Sequence, residues 1–262
     1  MSNLGRMLSA VAASAVLVAP ALAEDVVVVF KTTGQGGEGT STQYFSSERM
    51  RSSDGEHDTI MEYASGKIVS VDHKKKQWSE TSLAEIQETM KKANAQMAQM
   101  QAQMEAMPAP IRERMEKMMG GMGGEVTVTR GETREVAGYA TQEYAVAMGE
   151  TLKMRLWNTT AVTLPVPAVE LRKLSALTGP MAMMANNPMF KGFAQLAEKM
   201  QEIEGLTLAD STSMTMMGKG SESTREATEV RTGPIPAADF DLEAIAPGYK
   251  KVDSPLTKMG KK

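Results

Sequence analysis

The chain has 262 residues, a formal charge of −3 and no cysteine. A mildly acidic chain of mixed charge lacks the basic footprint of nucleic-acid binding, and the missing thiols exclude disulfides, cysteine nucleophiles and cysteine-based metal sites. Aromatic residues make up only 5% while methionines number 24, so Met fills positions that Leu or Phe would normally take.

Residues 1–23 read as a cleaved signal peptide. Arg6 supplies a positive n-region, Met7 to Val18 is almost wholly apolar, and Ala21-Leu22-Ala23 is a small-x-small cleavage box behind Pro20. The run is shorter than the roughly 20 apolar residues of a spanning helix. No Cys follows it and no Arg pair precedes it, so neither lipid attachment nor the twin-Arg route is expected. No later run is apolar enough to span a bilayer. The expectation is a periplasmic or secreted protein with one domain over residues 24–253 and a disordered basic tail over 254–262.

From Glu24 the chain reads as strands. "VVVVF" is a buried run, and "STQYFSSERMRSS" a more polar strand. Between them Gly34 to Gly39 matches G-x-G-x-x-G. A dinucleotide site needs a helix directly after the glycines. Here the glycines lead into a strand pattern, so a hairpin loop is expected. "DTIMEYASGKIVSVD" divides into two strands at Ser65-Gly66. The run Lys74 to Lys76 reads as a solvated turn or strand edge.

The period then changes. Ser82-x-x-Glu85 is a capping box. Leu83, Ile86, Met90, Ala93, Met97, Met100, Met104 and Met107 come next at alternating steps of three and four, the a/d seam of an amphipathic helix. Gln87, Glu88, Lys91, Lys92, Gln99 and Gln103 occupy the other side. Pro108 and Pro110 stop the helix. A second short seam, Ile111, Met115, Met118 and Met122, ends in glycines, which makes a helical hairpin over about 82–120.

Strands return at Glu125. Val126 and Val128, then Tyr144, Val146 and Met148, then Leu152, Met154 and Leu156 alternate with polar residues, as in an antiparallel sheet with one buried face. A short helix is expected within 165–179, with Val169, Leu174 and Leu177 inward. A second begins after Asn187-Pro188, with Phe193, Leu196, Met200 and Ile203 inward and Gly205 as its C-cap. Leu206 to Thr232 reads as a last strand-like region, polar and weakly patterned, and "GPIPAADF" is a turn-rich link. The whole reads as α+β around one antiparallel sheet.

Little in this pattern supports catalysis. His57 and His73 are the only histidines, belong to no ligand spacing and are expected on exposed loops or strand ends. No G-x-S-x-G elbow is present, no two carboxylates stand out, and no cofactor is implied. Asn158-Thr159-Thr160 matches the glycosylation pattern, but such triplets are common by chance. The Met stripe has three readings: helix packing, a groove or lid for a hydrophobic ligand, or a Cu(I) site of thioethers at Met97, Met100 and Met104. A structural or interaction role, with the helical hairpin pairing as a coiled coil, is a further alternative.

Three blocks, in this order, resemble an exported bacterial family, domain-of-unknown-function family 4412. They are "YFSSERMRSSDGEHDTIMEYASGKIVSVDHKKKQWSE", "REVAGYATQEYAVAMGETLKMRLWNT" and "GPIPAADFDLEAIAPGYKKV". The resemblance implies an envelope protein without a known activity, whose curved antiparallel sheet is similar to the half-barrel of the LolA and LolB lipoprotein carriers. No site residues carry over from it. Together with the Met seam it points to a lipid or a lipoprotein acyl group held between sheet and helices, with Met97, Met100, Met104, Met107, Met115 and Met118 as candidate contacts. The expected fold is thus a LolA-like half-barrel with a Met-rich helical hairpin and further helices packed on it.

Overall fold

The computed structural model describes residues 24–34, 37–105, 125–166, 171, 191–216 and 219–254. The first six strands come before the long helix: β1 (Val26–Gly34), β2 (Gly37–Phe45), β3 (Arg49–Ser53), β4 (His57–Glu62), β5 (Lys67–Asp72) and β6 (Gln77–Ser82). Helix α1 (Leu83–Glu105) leads to β7 (Val126–Val136), β8 (Tyr139–Met148) and β9 (Leu152–Thr159). Helix α2 (Lys191–Gln201) precedes the long hairpin β10 (Leu206–Met216) and β11 (Lys219–Thr232). A 3-10 turn (Ala237–Phe240), the one-turn helix α3 (Leu242–Ile245) and the two-residue β12 (Lys250–Lys251) close the described chain.

All the strands join one sheet in the order β12-β6-β5-β4-β3-β2-β1-β11-β10-β9-β8-β7. Its pairings are antiparallel except that of β12, which runs parallel to β6. The hairpins arise from local chemistry. Ala137 and Gly138 both have positive φ, 49° and 83°, as the tightest β-hairpin turn requires. Gly66, at φ 63°, turns β4 into β5.

The sheet is curled and open. Arg134 of β7 reaches across β8, β9 and β10 to Glu226 of β11 at 2.9 Å, lying over the Trp157 ring on the way. Yet the two ends of the strand order do not pair. Register shifts at Val29/Phe30, Thr207/Ala209 and Arg130/Thr133 mark bulges, which add local twist. At the last of these, a side chain on Gly131 would place its Cβ 2.3 Å from Glu143 Oε2. Only glycine lets that carboxylate approach the bulged strand.

Strand registers sort residues onto two sides. Met50, Met61, Ile68 and Thr81 form one row across β3 to β6, with Ser52, Thr59, Ser70 and Ser79 beside it on the same, inner side. Arg51, Ile60, Val69 and Glu80, with Asp58, Val71 and Trp78, lie on the outer side. Helix α1 covers the inner side of β4 and β5 through Ile86 and Met90, which bury Met61 and Ile68. Helix α2 covers the inner side of β7 to β9, where Phe193, Leu196 and Ile203 meet Tyr144, Val146, Met148, Leu152 and Leu156. The largest cluster, around Val26, Val28, Phe30, Leu206 and Leu208, lies at the middle strands. Phe240 and Ala246 cover Ile60, Val69 and Val71 on the outer side.

Among the described residues the one antiparallel sheet expected from the sequence dominates and helices are few. Several finer expectations need correction. "STQYFSSERMRSS" is two strands, because Ser46 Oγ accepts from Arg49 N at 3.0 Å and turns the chain. The strand-like region Leu206 to Thr232 is two long paired strands, as expected, and their polar residues stay exposed toward the tip. Gly205 does not cap α2, which ends at Gln201. At φ 82° it instead admits the Thr159 carbonyl, which an added Cβ would meet at 2.4 Å. The glycosylation triplet is closed, since Asn158 is buried and its amide donates to the Glu204 carbonyl at 2.9 Å. Of the range 165–179 expected to hold a short helix, residues 165 and 166 are described and not helical, Leu171 is helical and buried, and the rest lies outside the described residues. The second arm of the hairpin, about 106–120, and the tail from 255 also lie outside them.

Candidate functional site

β6 passes directly into α1, and the capping box fixes the junction. Glu85 N donates to Ser82 Oγ at 3.2 Å, while Ser82 N donates to Glu85 Oε2 at 2.9 Å. Leu83 N donates to the Gly66 carbonyl at 2.9 Å, which anchors the helix start to the β4–β5 turn. From there α1 extends about 34 Å at 1.5 Å per residue. Gln87, Glu88, Lys91, Lys92 and Gln99 are exposed, as the seam predicts.

A groove of about 750 Å³ opens between α1 and the inner side of β4 to β6. Met61, Ile68 and Ile86 form its apolar part, and Thr59, Ser70, Ser79 and Thr81 its hydroxyl-lined part. His57, Asp72 and Lys75 stand at its mouth, and Val252, Asp253 and Ser254 make a wall. Two neighbouring rows of the sheet thus offer an apolar and a hydrogen-bonding track along one groove. Asp72 is held charged by Lys75, whose Nζ and backbone N both bond to it, so its carboxyl stays below the ordinary range.

The six candidate methionines divide. The backbone of α1 runs through Met97, Met100 and Met104; their side chains lie outside the described residues, as do Met107, Met115 and Met118 entirely. Among the described residues Met61, not singled out from the sequence, lines the groove, and Met90, a seam position outside the six candidates, packs on Met61 and Ile68. Met61 is legible only once β4 and α1 are known to face each other. Among the described residues no three His, Asp or Glu side chains gather as a metal site, and no helix is long and apolar enough to cross a membrane.

The other side of the same strands carries a polar cluster that the sequence does not announce. Asp58, 1% exposed, accepts from Arg51 Nε at 2.7 Å and from His73 Nε2. Burial raises its carboxyl, but the bonds from His73 and Arg51 and the Arg51 charge outweigh it and hold the group below its ordinary value. Because the carboxylate only accepts, Nε2 carries the proton, and in the neutral ring Nδ1 accepts from the Tyr249 hydroxyl, 3.1 Å away. Arg51 Nη1 also donates to the Asp239 carbonyl at 2.8 Å. His73 is therefore no exposed strand-end histidine; it ties residues 239–249 to the sheet. His57 does lie exposed at a strand start. The cluster joins two of the three family-like blocks: "ERMRS" and "PGYKKV" meet here, with Met50 on the inner side and Arg49 lying 5.9 Å over the Phe240 ring.

The fold and groove define a class: an open, curled sheet with helices on its inner side and a ligand-sized space beneath the longer one. No family model and no curated protein matches the chain. Among solved structures it is similar to MucB in complex with MucA(peri), with a TM-score of 0.37 and 10% identity over 82% of this chain and 53% of that one. MucB alone gives 0.32 and 13% over 82% and 56%. The Pseudomonas aeruginosa MucA/MucB complex gives 0.34 and 11% over 82% and 54%. The chain spans just over half the length of these proteins, and likeness at this level assigns no role to any residue.

Proposed function

We propose that the protein is a non-catalytic binding protein of the bacterial envelope that shelters an apolar group, a lipid or an acyl chain, between the inner side of the sheet and α1. The groove of about 750 Å³ under Ile86 carries this reading; its size suits a small-molecule site. Burial of the chain against Met61, Ile68 and Ile86 supplies the driving force, about 25 cal/mol per Å² of apolar surface removed from water. Thioether side chains suit such a surface because they are unbranched and adapt to irregular ligands. The signal-peptide pattern of residues 1–23 and the resemblance to domain-of-unknown-function family 4412 support the location.

The test is to extract the purified protein and identify bound lipid by mass spectrometry, alongside titration with a fluorescent fatty acid. Co-purifying lipid, or saturable uptake that Ile68→Lys abolishes, is the expected result. Absence of both sinks the reading.

A further inference from the structure

The sheet and α1 do not complete the groove. Val252, Asp253 and Ser254 form one of its walls, and they come directly after a segment that crosses the opposite side of the sheet. That strap runs from Ile235 to Lys251. Its upstream half is held by Phe240 and Ala246 on Ile60, Val69 and Val71. Its downstream half has much less: β12 is two residues long, Lys250 N donates to the Lys76 carbonyl at 3.1 Å and Val252 N to the Trp78 carbonyl at 2.8 Å. Lys251 lies 4.7 Å over the Trp78 ring. Tyr249, three residues before the wall, is bonded to His73, and His73 is fixed through Asp58 to Arg51. The partner strand of β12 is β6, which leads straight into the capped start of α1.

We propose that the strap is a clip that sets the shape of the groove from the far side of the sheet, with the Tyr249–His73 bond as its catch. Tyr249 and His73 are positioning residues, and the inference rests on the groove reading above. The catch sits at the downstream end of the strap, where Tyr249 is the last residue packed on the outer cluster before the wall begins, so it governs the last turn of the strap. Opening it loosens Lys250 to Val252 and the edge of β6 while Phe240 stays seated. That is a local opening, distinct from unfolding.

The experiment uses the full chain and its Tyr249→Phe variant, followed by hydrogen exchange. One hydrogen bond of ordinary strength corresponds to roughly three- to tenfold in an opening equilibrium. Amides of 77–86 and 250–252 should exchange faster by about that factor, with β8 and β9 unchanged. Because the protein has no cysteine, Gln77→Cys with Lys250→Cys, facing residues of β6 and β12, can form a single disulfide across neighbouring strands. Added to Tyr249→Phe and oxidised, it should restore the exchange of the parent chain.

A fluorescent fatty acid loaded into each protein should leave Tyr249→Phe faster by a similar factor, and the oxidised form no faster than the parent. Unchanged exchange in Tyr249→Phe overturns the clip, as does an increase spread evenly through β8 and β9. Equal release from all variants that take up the probe overturns its control of the groove. Local exchange changes in proteins that never take up the probe would uphold the clip and defeat the groove reading instead.

Discussion

Strands β4 to β6 have one sequence and two unlike sides. On the outer side, Ile60, Val69 and Val71 are closed over by Phe240 and Ala246, and a buried carboxylate is bonded by Arg51 and His73. On the inner side, Met61 and Ile68 are covered by only the first turns of α1, and a groove is left beside them. The strap lies on the sheet along its length and is fixed by specific polar bonds. The helix is fixed at its cap and touches the sheet through Ile86 and Met90. A firmly backed sheet can keep a space open on its other side, because the strands need no second layer there to stay in register.

The largest test of that contrast is Asp58→Ala. It leaves the largely buried Arg51 guanidinium without its counter-charge, and should cost about 3 to 5 kcal/mol in urea unfolding. A loss under about 1 kcal/mol would mean the outer side is not held by its polar cluster. Neighbouring residues of β5 give a sharper comparison. Val71→Phe overpacks the strap side, where Val71 is 2% exposed, and should cost about 1 to 3 kcal/mol. Ser70→Phe points the same bulk into the groove, should change stability by less than about 0.5 kcal/mol, and should abolish fatty-acid uptake. Equal costs would erase the distinction between the sides. Ser82→Ala removes one half of the capping box and should cost about 1 kcal/mol, read as lost helicity at the start of α1.

The smallest effect lies in acid. The folded state holds Asp58 below its ordinary value of 3.8, so the unfolded chain binds its proton more readily. Its contribution is complete above that ordinary value and is lost as pH falls through the lower folded one. Unfolding midpoints between about pH 2 and 5 should therefore slope less in Asp58→Asn than in the parent chain.

How much the sequence disclosed depends on range of interaction. The α1 cap, the Ser65-Gly66 turn, the alternation in β8 and β9 and the inward residues of α2 are written in neighbours a few positions apart, and the structure has them. That the start of the Met-bearing helix packs on the sheet was legible in outline, through Ile86 and Met90; the residues that line the space beside it were not. Thr59, Ser70 and Ser79 look like ordinary strand residues until register aligns them. The catch was hidden because its parts are far apart: Tyr249 and His73 are separated by 176 positions, and each alone passes for a surface residue. The strand character of Leu206 to Thr232 was legible, but its weak pattern did not show that β10 and β11 pair with each other and sit in the middle of the strand order.

The position of β1 bears on how the molecule comes into being. It is the first strand of the described chain, yet one of its two neighbours is β11, with Val26 opposite Thr232. A chain delivered from its N-terminus can pair β1 with β2 at once, but the central seam waits for residues 219–232. Closing so long a loop is slow, because its entropy is lost before the contacts form. Throughout that interval Val26 to Phe30, an uncharged and strongly β-forming run, has one edge unpaired. Such segments invite pairing with other chains. The time between delivery and the arrival of β11 is when this protein is most exposed to aggregation, and a chaperone that covers Val26 to Phe30 would act in that window.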